Sequence, residues 1–171
     1  VLLMHDRVDE WMMSYLNEYD GKKFASVAKG EVDLGSLADK EDKKKDEEAS
    51  KDYEDLLTKM KETLGDKVKE VRISNRLTDS PSCLVVEEQD MAVSMQKLLK
   101  QAGHSLPDVQ PILEINPDHM LVKRLKDQMD DQHFGDWTYI LFDQAMLSEG
   151  GQLDDPVSFV KRMNELLAAN G

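Results

Sequence analysis

Histidines at 5, 104, 119 and 133 and a single cysteine, Cys83, are the side chains of this 171-residue chain best suited to metal or nucleophilic chemistry. The histidines are scattered. None forms a His-x-x-x-His or Glu-x-x-His pair of the kind that places two ligands on one helix face, and one cysteine forms neither an internal disulfide nor a cysteine-based zinc site. His119, beside a helix start, reads as a functional group or as a surface or capping residue of the first turn. Cys83, inside Ser82-Cys83-Leu84-Val85-Val86, reads as a reactive thiol or as a small buried strand residue. Asp and Glu are abundant but lie in polar runs, whereas general acid-base work needs burial to move a pKa. No Gly-rich phosphate loop, dinucleotide fingerprint or Gly-x-Ser-x-Gly elbow occurs. Catalytic, cofactor-binding and metal-binding residues are therefore not expected, and attention passes to surfaces that bind.

Acidic residues outnumber basic ones by 35 to 22, giving a net charge of -13, which disfavours binding to a phosphate backbone. Nucleic acid is not an expected partner, and with no apolar run of membrane-span length, neither is a membrane. A lone cysteine and no basic region followed by an apolar signal core fit a reducing cytoplasm. The opening Val1-Leu2-Leu3-Met4 looks like the middle of a buried strand, so the chain is expected to be a piece of a longer protein.

Hydrophobic spacing supplies the elements. Val1 to Met4 reads as a strand, Asp9 to Tyr19 as a helix stopped by Gly21, and Lys22 to Lys29 as a short half-buried strand. Asp39 to Glu48 is ten charged residues in succession, which cannot supply core and marks a linker. Beyond it, Ser50 opens a helix that runs through Leu56, Leu57, Met60 and Leu64 to Gly65. Val68 to Ile73 and Cys83 to Val86 read as strands joined as a hairpin or meander, and Ile112 to Ile115 as a third strand. Asn116-Pro117-Asp118 supplies a cap and first-turn proline for a helix carrying Leu121, Val122, Leu125 and Met129. The fold class is α+β: a small three-stranded sheet with flanking helices.

Two stretches carry more apolar surface than their surroundings require. From Met91 to Ala102, a helix closed by Gly103, the residues Met91, Met95, Leu98 and Leu99 form one stripe, whose methionines could adapt to varied partners or simply pack in the core. Trp11 raises the same choice between core aromatic and anchor for another protein. At the other end, Asp136 to Leu147 and Pro156 to Ala169 form two amphipathic helices around a Gly150-Gly151 break. Asp154 or Asp155 caps the second, and Val157, Val160, Met163 and Leu167 recur along it, widened by Phe159 and Leu166. This hairpin either finishes an intrachain core or meets its own copy in a dimeric four-helix bundle.

His5-Asp6-Arg7-Val8-Asp9-Glu10-Trp11, with Glu18-Tyr19-Asp20-Gly21-Lys22-Lys23-Phe24, resembles the end of the middle segment of the heat-shock protein 90 chaperones, in their bacterial form. Arg76-Leu77-Thr78-Asp79-Ser80-Pro81, Leu113-Glu114-Ile115-Asn116-Pro117-Asp118-His119 and Leu141-Phe142-Asp143-Gln144-Ala145 are similar to that family's C-terminal domain. The resemblance covers nearly the whole chain. It implies residues 1–30 as the end of the middle segment, 31–50 as a charged linker and 51–171 as a C-terminal dimerisation domain. It implies a homodimer closed through Ile140, Leu141, Gln144, Ala145, Leu147, Phe159, Val160, Met163, Leu166 and Leu167. It further implies that Glu10, Trp11, Met91, Met95, Leu98 and Leu99 hold non-native client proteins. The family's ATP and magnesium site belongs to an upstream domain, so no ATPase activity is expected of this chain. The ending Leu166-Leu167-Ala168-Ala169-Asn170-Gly171 differs from the acidic tail by which some relatives recruit helical-repeat cochaperones. Apart from the resemblance, an oligomerisation or scaffold domain with one fixed partner is the competing expectation.

Overall fold

The computed structural model describes residues 7–13, 15–16, 18–24, 26, 29, 51–87, 90, 109–129 and 132–169. The strand expected at Val1 to Met4, the linker expected at 31–50 and the helix expected from Met91 to Ala102 lie outside these residues.

The first helix, α1, spans Arg7–Met13 and is shorter than the expected Asp9 to Tyr19. The reason is a β-hairpin: β1 (Glu18–Tyr19) pairs antiparallel with β2 (Lys22–Lys23) around a two-residue turn. Asp20 has φ 51° and Gly21 φ 71°, the pair of positive φ values that matches the twist of a tight hairpin and that Asp-Gly accommodates. Gly21 thus turns a hairpin instead of ending a helix. Further on, Lys29 forms an isolated parallel bridge with Val86.

Helix α2 (Glu54–Leu64) follows the helical Lys51 and Asp52 after a single turn residue, Tyr53, with Glu54 and Asp55 in its first turn where the helix dipole favours acids. It buries Leu56, Met60 and Leu64. Gly65, with φ 55°, lets the chain leave the helix into a short 3-10 turn, Gly65–Lys67. Its Tyr53 neighbour is buried and donates its hydroxyl to the Pro117 carbonyl at 3.0 Å, tying the entry of α2 to a distant loop.

Three strands form the main sheet: β3 (Val71–Ile73), β4 (Ser82–Val85) and β5 (Ile112–Ile115), in the order β3-β5-β4. The expected hairpin between the first two is therefore replaced. β5 inserts between them, parallel to β3 and antiparallel to β4. All four residues of β5 are buried, as befits a central strand covered on both faces. Val71, Ile73, Leu84, Leu113 and Ile115 share one face and join the core with α2 and the helices that follow.

Helix α3 (Met120–Asp127) buries Val122 and Leu125. Its cap is His119, whose Nδ1 accepts from the Leu121 N–H at 3.2 Å, and not the expected Asn116. Asn116 is buried and acts one turn earlier: its Oδ1 accepts from the Asp118 N–H, while Nδ2 donates to the Thr78 and Ser80 carbonyls. Asn-Pro-Asp is a turn stitched to the 78–80 loop, and the helix waits for the histidine.

Helix α4 (Phe134–Ser148) is buried on several sides, through Phe134, Thr138, Ile140, Leu141, Phe142, Ala145 and Met146. It packs on α2, on β4 and on the last helix, α5 (Pro156–Ala169). Gly150, at φ 71°, and Gly151 make the corner between them. A Cβ at Gly151 would stand 2.8 Å from the Met146 carbonyl oxygen, so this corner closes only on glycine. Asp155 caps α5: its carboxylate accepts from the Ser158 N–H at 3.0 Å and from the Ser158 hydroxyl at 2.6 Å, and these bonds hold its pKa below the usual value.

Candidate functional site

The α4–α5 hairpin has two unlike sides. On the packed side, Leu166 is 3% exposed, and Arg162, one turn earlier, lays its guanidinium 4.3 Å from the Tyr139 ring and pairs with Asp136 at 3.4 Å. On the other side, Val157 (79%), Val160, Met163 and Leu167 (66%) recur at three- and four-residue spacing and remain exposed. Leu147 of α4 is exposed with them. An apolar stripe of this length on a capped helix has no partner among the described residues.

The interface residues expected from the sequence therefore divide. Ile140, Leu141, Ala145 and Leu166 are buried by the chain's own packing. Gln144 and Phe159 are partly exposed, and Leu147, Val160, Met163 and Leu167 are open. Periodicity alone could not make this division, because α4 is apolar around most of its circumference.

The expected client residues are less fully placed. Glu10 and Trp11 lie on α1, their side chains outside the described set, while Met91, Met95, Leu98 and Leu99 lie outside the described residues altogether. Around Trp11, the chain exposes Val8, Met12, Tyr15, Leu16 and Tyr19.

The sheet face turned away from the shared core carries a group that the sequence reading passed over. Glu114 is 2% exposed, and its strand register sets it between Arg72 on β3 and Cys83 on β4. Its Oε1 accepts from Arg72 Nε at 3.0 Å, Arg72 Nη2 at 2.8 Å and Arg76 Nη2 at 3.0 Å. Oε2 pairs with Arg76 Nε at 2.8 Å and accepts from the Ser74 hydroxyl at 3.0 Å. A buried charge requires such partners, and two guanidiniums with a hydroxyl satisfy both oxygens. The available signal was a carboxylate inside the apolar run Ile112-Leu113-Glu114-Ile115.

Cys83 belongs to the same row. Burial, reinforced by the Glu114 charge, pushes its thiol up to about 12, so the sulfur stays protonated and poorly nucleophilic at neutral pH. This favours the structural reading of the cysteine. His119 is spent as a cap, and His133 stands 3.7 Å from Asp136 at the start of α4. Among the described residues, no three His, Cys, Asp or Glu side chains are arranged to hold a metal ion. No described helix is long and apolar enough to cross a membrane.

Residues 1–170 match the family model described as Hsp90 protein. The chain is 62% identical over 167 residues to the chaperone protein HtpG of Burkholderia lata, 60% to that of Burkholderia cenocepacia and 58% to that of Alkalilimnicola ehrlichii. Each match covers 98% of this chain and 26% of the relative, so the chain spans about a quarter of the length of these proteins.

Proposed function

Because the chain belongs to the Hsp90 protein family, we propose that it is the part of a chaperone that joins two copies and helps to hold non-native proteins. The observation that carries the dimer is the open stripe of Val157, Val160, Met163 and Leu167, with Leu147 beside it, on a hairpin whose opposite side is already packed. Two such hairpins meeting about a two-fold axis bury both stripes in a four-helix bundle, because a self-complementary patch is covered most simply by its own copy. In this arrangement Leu147, Val160, Met163 and Leu167 form the seam, with Phe159 and Gln144 at its margin. Ile140, Leu141, Ala145 and Leu166 support it from within each chain.

Client binding rests on the family and on the apolar side chains exposed around Glu10 and Trp11; Met91, Met95, Leu98 and Leu99 complete the proposed surface. Exposed methionine and aromatic groups suit partners of varied shape, since they contribute apolar contact without demanding one fixed geometry. Residues 31–50 join the middle-segment piece to the dimerisation domain. In the complete protein, ATP and magnesium act in a domain outside this chain, and the protein works in the cytoplasm. Sedimentation across a concentration series tests the central point. A dimer dissociating reversibly to monomer is expected, and a monomer at every concentration overturns it.

A further inference from the structure

Four open residues of α5 recur at three-, four- and three-residue spacing: Val157, Val160, Asn164 and Leu167. Three of them are the apolar residues of the stripe, and the other is an amide. At about 3.6 residues per turn, Asn164 falls between Val157 and Val160 around the helix and between Val160 and Leu167 along it. It therefore stands inside the apolar stripe, away from the packed side that carries Arg162 and Leu166. The ion pair on the helix surface, Lys161 with Glu165 at 3.8 Å, lies at the stripe's edge. Among the described residues none bonds the Asn164 side-chain amide, which is exposed in the single chain.

Resting on the dimer reading above, we propose that Asn164 fixes how the two copies align, its amide hydrogen-bonded across the two-fold axis to Asn164 of the second copy. An apolar stripe alone accepts several alignments, since contacts of valine, methionine and leucine carry little direction. One amide in such a seam removes that freedom: misaligned, it enters an apolar interface with its donor and its acceptor both unpaired. Its own copy is the partner that the chemistry selects. An amide presents a donor and an acceptor and so pairs with itself, and a residue near a two-fold axis meets its own equivalent. The apolar members of the α5 stripe, Val157, Val160, Met163 and Leu167, offer neither group. The amide weakens association relative to an all-apolar stripe and limits it to a closed pair in one register.

Sedimentation equilibrium of the 171-residue chain carrying Asn164→Asp, Asn164→Lys, or an equal mixture of the two variants tests the self-pairing. Each variant alone sets like charges against each other and should weaken the dimer at least about tenfold, and the mixture should regain about that factor as a heterodimer. Asn164→Leu should tighten association about tenfold and add species larger than a dimer. The proposal is overturned if the mixture associates no better than the separate variants, or if Asn164→Leu remains a dimer of unchanged dissociation constant. Because Asn164 is exposed, circular dichroism should show the helices of both charge variants intact. Leu167→Ala separates this failure from failure of the dimer itself. If it weakens association while the Asn164 variants do not, the seam stands and Asn164 lies outside it; if the unaltered chain is a monomer throughout, both readings fall.

Discussion

Leu166 and Leu167 are neighbours in sequence, yet one is 3% exposed and the other 66% exposed. Truncating each to alanine should therefore produce opposite phenotypes. Leu166→Ala opens a cavity on the packed side of α5 and should cost about 2–5 kcal/mol of folding stability. Leu167→Ala removes side chain that the single chain leaves in water, so its effect on the monomer should stay within about 0.5 kcal/mol. In a two-fold bundle the same truncation is felt twice. Each buried methylene is worth about 0.8 kcal/mol, so losing most of a leucine side chain at two-thirds burial removes about 1.5 kcal/mol per copy. The pair of copies then loses about 3 kcal/mol, or roughly a hundredfold in dimer dissociation constant. Sedimentation equilibrium reads the association. Denaturant unfolding over a range of protein concentrations reads the fold, because a dimer's apparent stability includes its association energy. If Leu167→Ala left the dimer unchanged, or lowered monomer stability as much as Leu166→Ala, the seam would lie elsewhere and the reasoning would fail.

Other expectations are as direct. Glu114→Ala strands Arg72 and Arg76 against a sheet face and should lower stability by about 3–5 kcal/mol in chemical denaturation, the usual cost of breaking a buried ion pair. For Cys83, the raised pKa favours the protonated thiol in the fold: up to the ordinary thiol value of 9.0 stability is unaffected, and between there and about 12 unfolding releases a proton, so stability falls as the pH rises. Ultraviolet titration of the thiolate in native and denatured chain should separate the two values. Asp155 has the opposite sign: its lowered pKa stabilises the first turn of α5 above the unfolded carboxylate pKa, and that contribution is lost as the pH falls through the folded value. The protection factor of the Ser158 amide, taken against the intrinsic exchange rate at each pH, should fall in acid and in Asp155→Ala alike. Gly151→Ala should lower the melting temperature through the 2.8 Å contact with the Met146 carbonyl, which is backbone and cannot swing aside.

Much of the fold was legible locally. The helices ending at Gly65 and at Gly150-Gly151, and the Pro156 start of α5, follow from apolar spacing and caps, and the Ile112–Ile115 strand was read at its observed bounds. Strand order was not legible, because β3 and β4 each find their partner in β5, decades of residues away, and neither periodicity nor turn chemistry encodes that choice. The Asp20-Gly21 hairpin was written plainly, but a helical reading of Trp11 through Tyr19 overran it. Family resemblance pointed to the hairpin and to the α1 region, yet only coordinates could separate Leu147, Val160, Met163 and Leu167 from the inward-facing Ile140, Leu141, Ala145 and Leu166. Glu114 went unremarked because it is an acid among apolar residues, a pattern that marks burial only once the neighbours are known.

The ion row across the sheet also bears on how the chain reaches its fold. β5 must enter between two strands that precede it, and a one-residue slip would send every side chain of the newcomer to the opposite face. Ile112, Leu113 and Ile115 penalise such a slip only weakly, since both faces of β5 are buried and either would accept them. Glu114 does not tolerate it: displaced, it would lose Arg72, Arg76 and Ser74 and enter the hydrocarbon interior with an unpaired charge. The carboxylate thus works as an indexing pin. At synthesis rates of roughly 5–20 residues per second, β3 and β4 wait some seconds for this strand; when it arrives, the charge admits one alignment and rejects its neighbours.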